Sequence, residues 1–159
     1  RLTDVTGVQT CALPISKYHN FFDYRGVTVF KPNRKETEDA LKRRLTGEDS
    51  FIEAARAMRE RLGCEHVLLT LGEKGMLLLR NDDTVVRVPT KARKVADVSG
   101  AGDTVIATLA VSMAGGADML EAAHIANFAG GLVCEEVGIV PVDRDLLFEA
   151  ALGRLGVLD

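Results

Sequence analysis

Asp97 to Val105 read DVSGAGDTV: two glycines flank an alanine, an acid follows at once, and an apolar run with helical spacing comes next. Small residues at a helix start leave backbone N–H groups bare, which attracts an anion. Asp103 nevertheless puts a negative side chain in the first turn of that helix. Taken alone, a first-turn carboxylate needs no ligand, because the helix dipole favours it by ~0.3–1 kcal/mol. Gly100, Ala101 and Gly102 change the reading: they let a ligand reach the backbone, and the acid stands beside the opening they create. The third glycine of Gly-x-Gly-x-x-Gly is missing and no Gly-Lys-Ser/Thr occurs in the chain, which excludes a dinucleotide fingerprint and a Walker loop. An acid beside an anion hole suits a phosphoryl group in transfer, with the carboxylate receiving the proton of the attacking hydroxyl.

Upstream, VTVF (27–30) is a β-prone run bounded by Gly26 and Pro32, and NRKETEDALKRRL (33–45) follows with helical spacing. Asn33 and Glu36 have capping spacing at that helix start. A second helix is expected through SFIEAARAMRERL (50–62), with Ser50 and Glu53 as a capping box, Gly63 as its terminator and Ile52, Ala55, Met58 and Leu62 on its buried face. HVLLTL (66–71) reads as a buried strand, GEKG (72–75) as a turn, and MLLLR and TVVRV as a hairpin around NDD. Downstream of Gly102 the chain turns helical, breaks at Gly115-Gly116, resumes through residues 118–138 and ends in a helix after Asp143. Strands alternating with helices and giving way to a helical tail predict an α/β domain with a largely parallel sheet.

With 159 residues, 47% hydrophobic and 27% charged, the chain suits one domain or part of one. A net charge of −3 gives no electrostatic footprint for nucleic acid, and the clusters Lys42-Arg43-Arg44 and Lys91-Ala92-Arg93-Lys94 read as solvated faces. Cys11, Cys64 and Cys134 are too scattered for a disulfide framework or a zinc site, so a reducing cytoplasm is expected. The most apolar stretch, residues 105–120, carries Thr108, Ser112 and Asp118 and falls short of the ~20 residues of a spanning helix, so no membrane partner is expected. His19, His66 and His124 share no ligand-like spacing and read as structural.

DVSGAGD resembles the C-terminal signature of the PfkB/ribokinase carbohydrate kinases, whose Asp-x-x-Gly-Ala-Gly-Asp ends in the catalytic base. The resemblance implies that Asp103 is that base and that the N–H groups around Gly100, Ala101 and Gly102 stabilise the transferring phosphoryl group. It implies that Asp97 helps hold a monovalent cation. NRKE matches the family's Asn-x-x-Glu motif, in which Glu36 acts on Mg²⁺ through water and Asn33 orders the phosphates of ATP. TLGEKG looks like the family's nucleotide-binding turn, through Thr70, Gly72 and Gly75, and Asn127 lies in a helix that borders the adenine. On their own, these last two are a glycine turn and a packing asparagine.

KYHNFFDYRGVTVFKPNRKETE, VPTKARKVADVSGAGDTVIATLA and IANFAGGLVCEEVGIVPV resemble one subgroup, the heptose 7-phosphate kinases of ADP-heptose and lipopolysaccharide synthesis. The implied reaction is phosphorylation by ATP at the anomeric hydroxyl of D-glycero-D-manno-heptose 7-phosphate, in a protein that forms a homodimer when complete. Another PfkB sugar or nucleoside kinase, and a non-catalytic nucleotide-binding module, are the alternatives. Residues 17–159 then correspond to the C-terminal part of a three-layer α/β/α ribokinase-like domain, without most of the sugar pocket. Val5 to Ser16 match, residue for residue, one reading frame of a common sequencing-library adapter, so residues 1–16 are expected to be a non-native assembly scar. A chain so truncated is expected to be inactive, with an unpaired sheet edge and uncovered apolar surface.

Overall fold

The computed structural model describes residues 21–90 and 96–154, in two compact units divided between Pro89 and Thr90. Residues 1–16, Cys11, His19 and the 91–94 cluster lie outside the described residues.

In the first unit, β1 (Val29–Phe30) leads into α1 (Arg34–Leu41), α2 (Glu48–Leu62), β2 (His66–Thr70), β3 (Met76–Leu79) and β4 (Val85–Val88). The sheet runs β1-β2-β3-β4. β1 and β2 are parallel, bridged by the two helices, whereas β2–β3 and β3–β4 are antiparallel. The α/β expectation holds, but the described strands form a mixed sheet instead of a largely parallel one. The reason is local: Gly72 and Gly75, at φ 61° and 77°, turn the chain straight back after β2, and two-strand reversals of this length can only be antiparallel.

α1 is shorter than its spacing suggests. It stops at Leu41, with Lys42 in the left-handed region at φ 53°, and the Glu38 carboxylate accepts the Leu45 N–H at 2.9 Å. That turn lets Leu45 leave the helix and become fully buried. The Leu45 amide, then Arg34, hold the Glu38 carboxyl below the usual carboxylate range. Lys42, Arg43 and Arg44 are exposed, as a solvated cluster should be.

α2 begins earlier than expected, at Glu48 with Gly47 as its N-cap. Ser50 therefore does not cap the helix: it is the third residue in, and its hydroxyl reaches back to accept the Gly47 N–H at 3.0 Å. Glu53, its expected partner, is exposed and faces Arg43. Gly63 ends the helix at φ 61°, where only a residue without Cβ is unstrained. Phe51, Ala54, Ala55, Met58 and Leu62 are buried together with Val67, Leu69, Leu77 and Leu79 of the sheet. Pairing of Val67 with Leu79 and of Leu69 with Leu77 puts those four side chains in one cross-strand layer. Leu68 and Leu78, one residue out of phase, are also fully buried, which explains why these strands show no polar alternation. Burial pushes the Cys64 thiol up to about 11, so it sits in this core as a neutral hydrophobe.

The second unit holds α3 (Ala101–Ala114), α4 (Met119–Cys134) and α5 (Arg144–Arg154). A short turn joins the first pair, and Asp118 opens α4 with a reciprocal box: its carboxylate accepts the Leu120 and Glu121 amides, and Glu121 accepts the Asp118 amide. Asp143 likewise accepts the amides of Asp145 and Leu146, starting α5 where the sequence indicates. α4 lies close against α3 because Gly130 has no side chain. A Cβ there would lie 2.8 Å from Val105 Cγ2. Val98, Val111, Val137, Ile139, Leu146 and Phe148 are large apolar residues exposed in this unit. No helix among the described residues is long and apolar enough to cross a membrane.

Two consequences are measurable. His66 is buried at the start of β2, its Nδ1 accepts the Asn81 N–H at 3.2 Å, and burial lowers its pKa below the ordinary 6.5. Glu65 and Asp82 oppose that shift, while Arg80 and Arg59 add to it. Folding thus favours the neutral ring, so its stabilisation is complete above the unfolded pKa and is lost as pH falls through that value toward the folded one. Denaturant midpoints should drop between pH 7.5 and 5.5, and His66→Gln should flatten that slope. Second, Gly130→Ala should destabilise the second unit by ~1–3 kcal/mol through overpacking, despite alanine's better helix propensity. Val105→Ala should cost less in the Gly130→Ala background than alone, as read by a double-mutant cycle of urea melts.

Candidate active site

α3 starts without a side-chain cap. Gly100 occupies its N-cap at φ 78°, and the Ala101 amide is taken by the Val98 carbonyl at 3.3 Å. The amides of Gly102 and Asp103, second and third in the helix, have no carbonyl partner among the described residues. Both residues are exposed, with the Asp103 carboxylate in the same first turn. Of the expected Gly100–Gly102 set only the Ala101 amide has a carbonyl partner among the described residues, and the Asp103 amide stands open beside the Gly100 and Gly102 amides.

Asp97 anchors the turn that leads into this helix. Its Oδ1 accepts the Ser99 N–H at 2.9 Å and its Oδ2 accepts the Gly138 N–H at 3.2 Å. Those bonds, Ser99 first and Gly138 after it, hold its carboxyl below the usual range. The Cys134 carbonyl at the end of α4 accepts the Ala96 and Asp97 amides. Burial, then Asp97 and Glu135, push the Cys134 thiol up. Each Asp97 oxygen keeps a second lone pair, so a monovalent cation is compatible with this carboxylate alongside its amide bonds. Asn127 is buried in α4, in the same unit.

The remaining sequence-derived residues gather in the first unit. Asn33 caps α1, its Oδ1 accepting the Glu36 amide at 2.8 Å while Glu36 Oε2 accepts the Asn33 amide at 2.8 Å. The capping reading of Asn33-x-x-Glu36 is therefore realised in full, and Glu36 retains one oxygen for a metal-bound water. Asn33 also bridges to Thr70 as the parallel pair β1–β2 ends, and the Thr70 amide and hydroxyl both donate to Pro32 O. Directly after Thr70 comes a single 3₁₀ turn, Gly72–Lys74, closed by the Leu71 amide on Gly75 O at 2.8 Å. Asn33, Glu36, Thr70, Gly72 and Gly75 thus meet at the carboxyl ends of two parallel strands, where α/β sheets bind ligands. Among the described residues no three His, Cys, Asp or Glu side chains cluster for a metal, so Mg²⁺ at Glu36 would depend on water and phosphate oxygens.

Gly130, Gly138 and the Cys134 carbonyl were not legible as site-building groups. Their roles come from contacts between segments 25 or more residues apart, for which local spacing carries no signal.

A family model described as pfkB family carbohydrate kinase matches residues 7–143. The match begins inside the adapter-like stretch. Among curated proteins, Bifunctional protein HldE of Paramagnetospirillum magneticum is 47% identical over 127 residues, 80% of this chain and 26% of that protein. Bifunctional protein HldE of Rhodospirillum rubrum is 44% identical over 126 residues, 79% of this chain and 25% of that protein. The chain thus spans about a quarter of these relatives' length. Among solved structures, Arabidopsis thaliana ribokinase complexed with ribose and ATP superposes with a TM-score of 0.72 at 26% identity, covering 79% of this chain and 41% of that one. Escherichia coli phosphofructokinase-2 in complex with potassium gives 0.75 at 22% identity, over 83% and 42%, a likeness of fold. With a ribokinase-like α/β fold, an uncapped glycine-led helix carrying an acid in its first turn, and a family match over most of its length, the chain belongs to the pfkB family of carbohydrate kinases.

Proposed function

We propose that residues 17–159 are the C-terminal part of an ATP-dependent heptose 7-phosphate kinase that phosphorylates the anomeric hydroxyl of D-glycero-D-manno-heptose 7-phosphate in the cytoplasm. The observation that carries the reading is the first turn of α3, where two open amides and an exposed carboxylate stand side by side. The relatives named HldE and the long subgroup-like stretches support the choice of sugar.

In this reading Asp103 accepts the proton of the attacking hydroxyl, and the Gly102 and Asp103 amides steady charge on the transferring group. Asn33 orders the phosphates and Glu36 orients a metal-bound water. Thr70, Gly72 and Gly75 shape the nucleotide turn, and Asn127 backs the adenine. Asp97 would help hold a monovalent cation. Mg²⁺ would offset the repulsion between ATP and the carboxylates. The complete protein is a homodimer. This chain alone does not turn over, because phosphoryl transfer requires both substrates to be positioned and most of the sugar pocket lies outside residues 17–159.

The test is to express the longer reading frame that contains this chain and assay it with MgATP against heptose 7-phosphate, ribose and fructose 6-phosphate. Heptose 7-phosphate should be preferred, and Asp103→Asn should lower kcat by ~10²–10⁴-fold with a smaller effect on the KM for ATP. Unchanged turnover would remove Asp103 from the chemistry. ATP binding without turnover on any sugar would make the protein a nucleotide-binding module.

A further inference from the structure

The glycine turn after β2 is closed by its own backbone. The Leu71 amide donates to Gly75 O at 2.8 Å, the Gly75 amide to Gly72 O at 2.9 Å and the Lys74 amide to Leu71 O at 3.3 Å. Gly72 and Gly75, at φ 61° and 77°, lack the Cβ that would narrow their conformational choice, and a Cβ built on Gly72 would meet no atom within 4 Å. Packing at Gly72 therefore does not fix the shape of the turn. A side chain from outside it takes hold instead: Arg87 Nη2 donates to the Lys74 carbonyl at 3.3 Å.

Arg87 is brought there by strand register. It stands opposite Leu77, the second residue of β3, and β3 begins directly after Gly75. Its Nε lies 3.4 Å from Oε1 of Glu48, the first residue of α2, where the helix dipole favours a carboxylate. One guanidinium thus spans the start of α2 and the glycine turn, which a planar fork can do and a single ammonium cannot. Its Nη1, however, is buried without a hydrogen-bond partner among the described residues. A buried donor without an acceptor lowers stability, and an apolar side chain of similar length would avoid that cost. The half-exposed ion pair with Glu48 offsets little of it. Fold stability alone therefore gives no reason for an arginine at this position, whereas the bond to Lys74 does.

We propose that Arg87 is a positioning residue for the nucleotide: anchored at Glu48, it holds the Lys74 carbonyl and so keeps residues 72–75 in the shape that receives ATP. What the turn receives rests on the kinase reading above. The brace itself does not, because its bonds lie within the first unit.

The test uses the longer protein that contains this chain. Arg87→Met keeps an apolar stem on β4 and removes the polar head. It should weaken ATP by ~3–10-fold, the loss expected when one hydrogen bond no longer shapes a ligand site, read as the dissociation constant without sugar and as the KM for ATP. The kcat and the KM for the sugar should stay within about twofold, and the urea midpoint should not fall. Arg87→Lys keeps one charged donor and should lie between the two proteins in ATP affinity. In amide hydrogen exchange, Leu71 and Gly75 should exchange faster in Arg87→Met, with Leu68 and Leu78 as protected as before. Unchanged ATP affinity in Arg87→Met overturns the proposal, as does a loss in kcat equal to the loss in ATP affinity. A lowered urea midpoint, failure to fold, or faster exchange spread equally over the core strands would make Arg87 a stabilising residue and overturn it as well. A protein that binds no nucleotide, yet shows faster exchange at Leu71 and Gly75 in the variant, fails the kinase reading and keeps the brace. Sugar phosphorylation with ATP affinity and exchange both unchanged in Arg87→Met does the opposite.

Discussion

A helix that begins without a capping side chain must have its first amides satisfied by something else or leave them open to solvent and ligand. In this protein α1, α4 and α5 begin under a side-chain oxygen, from Asn33, Asp118 and Asp143 respectively. α3 does not. Its N-cap is Gly100, which has no side chain to offer, and its second and third amides have no carbonyl partner among the described residues. The candidate chemistry depends on that uncapped end being rigid, since a frayed helix start could aim neither amides nor carboxylate.

Rigidity there is supplied from a distance. Gly130 lets α4 approach α3 close to Val105, so the body of the helix is held by packing against a neighbour. Asp97 and the Cys134 carbonyl hold the turn that precedes it. Packing and polar bonds thus act on successive parts of one element. The helix interior is fixed by close contact, while its entry is fixed by charge-assisted amide bonds.

The first unit solves a different problem with similar means. β1 is only two residues long, yet the parallel joint to β2 extends through Asn33 and Thr70 because Pro32 O accepts both the Thr70 amide and its hydroxyl. The same Asn33 starts α1, so the strand end, the helix start and the glycine turn after Thr70 share one small set of bonds. An asparagine that caps a helix and a glutamate that returns the bond are sufficient to explain their spacing. Their position at the carboxyl ends of parallel strands is what makes a ligand role reasonable as well.

Element types were legible locally, because buried leucine runs, helical spacing, capping residues and glycine stops are properties of short stretches. So was the candidate base, since an acid directly after Gly100-Ala101-Gly102 stands out without any partner in view. Three things were settled only in three dimensions. α1 ends at Leu41 because Leu45 is wanted in the core and Glu38 can take its amide; α2 starts at Gly47 because Ser50 works from inside the helix. The sheet is mixed because a three-residue 3₁₀ turn sends the chain back antiparallel, where helical crossovers would have kept it parallel. The support of α3 by Asp97, Gly130 and Gly138 joins segments far apart in the chain, and no periodicity records which amide a distant carboxylate will meet.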